Sequence, residues 1–249
     1  MGFFDRFRKQ DKPAETIPPD APLVFQASGD FEIASCHGEY ALQHLDQLRR
    51  EGRTVGFSAI LLGGEEDATG LAENRELSKT STKEYLRLAD EVKVEEWLKQ
   101  RVEEDPECYQ TEAGDWPSQA PESGSITAHA DIVSKKPKPV VYLAKIPTPR
   151  NWEVPAYIGM GGWNACPDAS VLTAFAARWH ERYGAEVVSI TRDTIEFVVK
   201  NPPTTKEAAL ELAREQYLFC SDIVDQGVGN VASLAATLLN SGYWFFWWD

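Results

Sequence analysis

The hydrophobic and polar positions of this chain switch repeatedly between a period of two and a period near 3.6, the spacings that separate strands from helices. Leu23 to Ala27 and Phe31 to Cys36 read as short strands. Glu39 to Arg50 places Tyr40, Leu42, Leu45 and Leu48 at helical spacing ahead of Gly52, and Val55 to Leu62 returns to a buried strand ending at Gly63-Gly64. Strand, helix and strand in this order predict a βαβ unit with a right-handed crossover. Lys83 to Glu104 predicts one charged helical arm carrying Tyr85, Leu88, Val92, Trp97 and Val102. Glu107 to Ser134 has no periodicity and reads as a long surface connection or a partly disordered insertion.

The C-terminal portion is more legible. Pro139 to Lys145 and Pro155 to Met160 read as strands, Gly161 to Pro167 as a turn, and Asp168 to Tyr183 as a helix closed by Gly184. Leu172, Phe175, Ala176, Trp179 and Tyr183 share one face of that helix. Glu186 to Ile190 and Thr194 to Val199 predict a hairpin about Arg192-Asp193. Thr204 with Glu207 has capping-box spacing for a helix reaching about Cys220, and Asn230 caps another through Leu239. After Gly242 comes Tyr243-Trp244-Phe245-Phe246-Trp247-Trp248-Asp249, apolar on both faces when read as a strand, which predicts a central strand covered from both sides. The expected class is α/β, bordering on α+β: a mixed sheet flanked by helices, with an acidic helical insertion.

Three portions follow from composition. Residues 1–21 form a flexible start and Pro-rich linker, in which Met1 to Lys9 is basic and amphipathic and reads as a frayed helical start or as a segment for a membrane surface or a partner. Residues 22–138 carry the βαβ portion with the acidic arm and loop, and 139–249 an α/β domain expected to pack with it as one body. The charge of −14, from 39 acidic against 25 basic residues, argues against nucleic-acid binding and favours a basic protein partner. No apolar run reaches the ~20 residues a membrane span needs, and neither a signal peptide nor a metal or cofactor motif is visible, so a cytoplasmic protein without cofactors is expected. Cys36, Cys108, Cys166 and Cys220 are widely spaced and fit reduced, buried thiols.

Gly162-Trp163-Asn164, Trp179-His180-Glu181-Arg182-Tyr183-Gly184-Ala185, Asp193-Thr194, Pro202-Pro203, Ala208, Ala213, Phe219-Cys220-Ser221-Asp222 and Trp244 to Asp249 follow one another in an order that resembles a bacterial family, domain of unknown function 4253. Ser58 to Gly63 also looks like that family's upstream strand. The resemblance covers about Pro139 to Asp249 and implies a shared fold. The family has no agreed biochemical role to carry over, and residues 64–134 have no strong counterpart in it.

Five residues are candidate binding positions: Trp163 and Asn164 in the glycine-rich turn, Asp222 after the Phe219-Cys220 motif, and Trp248 with Asp249 at the aromatic run. Rings beside a charged rim are typical interface anchors. The turn also offers amides to an anion, although it is neither a dinucleotide fingerprint nor a P-loop. A cysteine at a helix start is a potential nucleophile, but His180 lies some 20 Å from Cys166 along one straight helix. His180-Glu181-Arg182 reads as a solvated or salt-bridged face, with Arg178 and Arg182 reaching acids on neighbouring elements. Three functions remain open. One is a non-catalytic binding protein, of the immunity or antidote type, that masks a basic protein; another is a hydrolase or transferase using the Gly161–Asp168 loop with Asp222 or Asp249; the third is a scaffold module that the amphipathic start segment recruits to a membrane or a complex.

Overall fold

The computed structural model describes residue 18 and residues 21–106, 113–119 and 124–249. The amphipathic start, nearly all of the Pro-rich linker and Cys108 lie outside the described residues. Seven strands, β1 (Gln26–Ser28), β2 (Phe31–Cys36), β3 (Ser58–Gly63), β4 (Val141–Ile146), β5 (Ala185–Ile190), β6 (Thr194–Val199) and β7 (Tyr243–Trp247), form one sheet in the order β1-β2-β4-β3-β5-β6-β7. Among the described residues only the β3–β5 pair is parallel, so the sheet is mixed and the class is α/β. β4 lies antiparallel between β2 and β3, which splits the expected βαβ unit: its two strands are parallel to each other but not neighbours.

Helices cover both faces. One face packs on α1 (Gly38–Val55), where Ala41, Leu45 and Leu48 meet Leu61, Leu143 and Val188. The segment around Ile126 and Ala128 joins the same cluster. The other face carries the larger core, built with α2 (Glu65–Ser78), α4 (Val94–Glu104), the short α5 (Val154–Ile158), α6 (Ala169–Tyr183), α7 (Lys206–Phe219) and α8 (Val231–Leu238). At its centre Trp179 is fully buried among Phe175, Phe197, Phe219, Trp244 and Phe246, with ring centroids 4.9–5.8 Å apart. α3 (Thr82–Glu91) packs outside this layer, with Tyr85 against Ala156 and Ala169.

Several expected elements are corrected. The first long helix does not stop at Gly52: it runs to Val55 and ends at Gly56, whose φ of 98° supplies the left-handed cap. Gly52 sits where a side chain would strike the Phe57 carbonyl, so that glycine serves close packing rather than termination. Pro155 to Met160 is not a strand. Val154–Ile158 is one helical turn with Pro155 in its first turn, buried nearly all round, and periodicity cannot distinguish a short continuous apolar run of this kind from a strand. The expected arm over 83–104 is two helices separated at Val92-Lys93. The break lets Tyr85 face α5 and α6 while Trp97 packs edge-on against Phe175 at 5.1 Å, so the segment is a layer of the body rather than an arm. Asp168 caps α6 by accepting from the Ser170 and Val171 amides, and Gly184 closes it as expected. The cap of α7 is Thr205 instead of Thr204. Finally, among the described residues β7 is an edge strand, not a central one.

Candidate functional site

The turn before α6 is built by backbone pairing. Cys166 N donates to Trp163 O at 2.9 Å, Gly162 N donates back to Cys166 O at 3.1 Å, and Asn164 takes a φ of 46° that asparagine tolerates. From α2, Asn74 Nδ2 donates to the carbonyls of Gly159 at 2.8 Å and Gly161 at 3.1 Å. The amides of Gly159, Gly162, Cys166, Ser170 and Val171 donate to protein acceptors, so these five do not point at an anion.

Four of the five candidate positions nevertheless meet through hydrogen bonds and packing at the end of β7. Asn164 Nδ2 donates to the Asp249 main-chain oxygen at 2.8 Å, and Asp249 N donates to Asp222 Oδ2 at 2.9 Å. Asp222 Oδ1 accepts from Gln226 at 3.1 Å, so both of its carboxylate oxygens are engaged. Asp222 precedes a π-helical turn, Ile223–Val228. Trp248 is 1% exposed and packs edge-on against Phe219 at 5.5 Å, which makes it core. Trp163 is half-buried against the same core cluster.

The reactive groups the sequence offered are quiet. Burial pushes the Cys166 thiol up, and its titratable neighbours are Cys220 and Asp168 rather than a histidine. The Cys36 and Cys220 thiols are pushed up to about 12, chiefly by desolvation. His180 is not a solvated face residue: its Nδ1 lies 3.0 Å from the Ala185 carbonyl and its ring packs 4.7 Å from Trp152. The expected bridging by Arg178 and Arg182 is present, to Glu95, Glu211 and the nearly buried Glu215. No set of three or more His, Cys, Asp or Glu side chains among the described residues converges as a metal site.

Sequence reasoning missed a groove. The α3–α4 junction and the outer face of α6 enclose about 470 Å³ between Ala89, Val92 and Val94 on one side and Ala174 and Ala177 on the other. Its rim carries Glu95, Glu96 and Glu181 with Lys93 and Arg178. Glu95 is held by Arg178 at 2.5 Å and Glu96 by the exposed Lys93 at 3.2 Å, while Glu181 makes no ion pair among the described residues. Arg178 draws the Glu95 carboxyl below its ordinary range. The signal was available in the spacing: Ala174, Ala177 and Glu181 fall on one stripe of α6, opposite the stripe of Phe175 and Trp179.

Fold and site together define an α/β protein with a mixed seven-stranded sheet, an edge strand closed by side chains, and a surface groove between helices. The C-terminal part of the chain, residues 142–249, matches the family model described as "Domain of unknown function (DUF4253)". No curated protein and no solved structure matches the chain. The matched part begins within β4, so it contributes the strand that lies between β2 and β3 as well as β5 to β7. No helix among the described residues is long and apolar enough to cross a membrane.

Proposed function

We propose that the protein is a binding protein of the immunity or antidote type, which masks a basic protein partner, and that the partner docks on the groove between the α3–α4 junction and α6. The observation that carries this reading is the pairing of an alanine and valine floor with a carboxylate rim in which Glu181 is unpaired and Glu96 is held only by an exposed lysine. An exposed pair of that kind is worth little and exchanges readily. A partner's Arg or Lys then lays its aliphatic stem along the floor and its charge at the rim. The overall charge of −14 would speed the encounter, an effect that salt weakens.

The test is affinity capture from the native cell with the intact chain and with Glu96→Lys/Glu181→Lys, followed by titration of the purified captured protein at two salt concentrations. A basic partner held by the first, lost by the second and weakened by salt is the expected result. Equal retention by both chains removes the groove from the reading.

The hydrolase or transferase reading is favoured by one observation, the meeting of Asn164, Asp222 and Asp249. Against it, Asp222 spends both oxygens on the fold and Asp168 spends its carboxylate on capping α6. Turnover of an ester, amide or phosphoester panel that Asp222→Asn abolishes without unfolding the chain would establish it.

A further inference from the structure

Residues 127–138 form a tight hairpin on the α1 face of the sheet. Ala130 bridges Pro137, Asp131 N donates to Lys136 O at 2.9 Å, and Lys138 N donates to His129 O at 3.0 Å. Its feet are fastened. Thr127 donates from both its amide and its hydroxyl to Glu196 Oε1 at 2.7 Å, while Lys138 O accepts from Gly38 N at 2.9 Å and Lys138 Nζ pairs with Asp67 at 2.9 Å. The tip is ordered too, because Asp131 Oδ1 accepts from Ser134 N at 2.7 Å and Asp131 O from Lys135 N at 2.9 Å.

This well-fixed tip presents two adjacent aliphatic residues to solvent, Ile132 at 58% and Val133 at 89% exposure, beside the exposed Lys135 and Lys136. Neither lysine makes an ion pair among the described residues, in a chain whose net charge is −14. An apolar knob with a basic collar, already ordered, sacrifices little conformational entropy on docking. Its complement is an apolar recess with an acidic rim. The groove beside α6 has that chemistry, and it lies on the other face of the sheet, where the knob of the same molecule does not reach it.

We infer that the knob of one molecule seats in the groove of a second copy, Ile132 and Val133 on the Ala174, Ala177 and Val92 floor and Lys135 and Lys136 at Glu96 and Glu181. This inference rests on the groove being a docking site and names a second copy as its occupant when the basic partner is absent. Knob and groove are different surfaces, so the contact is heterologous and propagates head to tail. The interface is far smaller than the ~1,600 Å² of a stable complex, so association is weak and belongs between roughly 1 µM and 1 mM.

Sedimentation velocity of the full chain across that range is the experiment, with circular dichroism as a check on folding. The intact chain is expected to grow in mean mass with concentration. Val133→Asp, which changes a fully solvated tip, and Glu96→Lys/Glu181→Lys, which changes only the rim, are each expected to remain monomeric. Mixed, they are expected to form a one-to-one pair and nothing larger, because one supplies the groove and the other the knob. An intact chain that stays monomeric up to about 1 mM overturns the inference, as does association that survives either variant. So does capture of the intact chain, but not of Val133→Asp, by vesicles of anionic lipid, which would give the knob a membrane surface instead. An Arg-rich peptide titrated into Val133→Asp separates the two readings: binding there by a chain that never self-associates leaves the groove reading standing and removes only the second copy.

Discussion

Glu215 gathers three donors from α6: Trp179 Nε1 at 2.6 Å, Arg178 Nε at 3.1 Å and Arg182 Nη1 at 3.1 Å. The carboxylate therefore bridges two guanidinium groups, whose remaining charge is met by Glu95 and Glu211, and satisfies the indole at the centre of the aromatic core. Glu215→Ala would leave that indole N–H buried without an acceptor and the two arginines short of a counter-charge. Breaking a nearly buried pair from one side costs about 3–5 kcal/mol. Urea denaturation is expected to show a loss near that size for Glu215→Ala and a smaller one for Glu215→Gln, which keeps an acceptor for Trp179. A loss under ~1 kcal/mol for Glu215→Ala would show the network to be solvated. The sequence made half of this legible. The spacing of Leu172, Phe175, Ala176 and Trp179 identified the buried face, and the arginines were read as bridging. Glu211 and Glu215, one turn apart on α7, carry no local mark telling which is buried. Only the packing of α7 on α6 separates them.

At the scale of an element, β7 shows why a candidate binding site resolved into structure. Val199 N donates to Gly242 O and Trp248 N to Asp193 O, so residues 242, 244, 246 and 248 face β6 and the odd-numbered positions face outward. Outward groups of an edge strand invite pairing by another chain. Here Ser241 Oγ serves Tyr243, Cys220 Sγ donates to Trp247 O, Asp222 accepts from Asp249 N and Asn164 donates to Asp249 O. The residues singled out from sequence hold the C-terminal end of this edge. Asn164→Ala/Asp222→Ala is expected to cost about 1 kcal/mol for each bond lost. Made in the Val133→Asp chain, it is also expected to raise light scattering, because the β7 edge is then open. Unchanged scattering and midpoint would mean that the clasp does not guard the edge. Along the strand itself, Trp248→Ala should cost about 3–5 kcal/mol, and deleting Trp247 to Asp249 should unfold the chain. Phe245→Ala should cost less, since Phe245 is only half-buried. Alternation told which rings share a face. It did not tell that β7 is an edge, because edge position is a property of strand order and not of any one strand.

Strand order also limits what composition says about the whole molecule. β4, from the portion 139–249, pairs with both β2 and β3, from the portion 22–138, so one sheet takes strands from both. The packing of this continuous body sets its response to pH. Cys36 and Cys220, whose thiols are pushed up to about 12 by burial, lie in the cores on opposite faces of the sheet, and Cys166 and the Tyr243 hydroxyl are pushed up as well. In the unfolded chain those thiols lose their protons near 9.0. Below that pH both states are protonated and the thiols contribute their full stabilisation. As pH rises from 9 toward 12 the unfolded state binds fewer protons than the native state, so stability must fall. Glu84, Glu95 and Asp131 act in the other direction: their carboxyls are held low by Arg87, by Arg178 and by the Ser134 amide, and their contributions fade as pH falls through the carboxylate range. Urea midpoints are therefore expected to decline steadily above pH 9. At pH 8 the native thiols of Cys36, Cys166 and Cys220 should resist a thiol reagent that labels them promptly in urea, because the thiolate that reacts is the form burial disfavours. Native labelling at the unfolded rate, or a flat midpoint between pH 9 and 11, would mean that water reaches the two cores and that burial does not set these thiols.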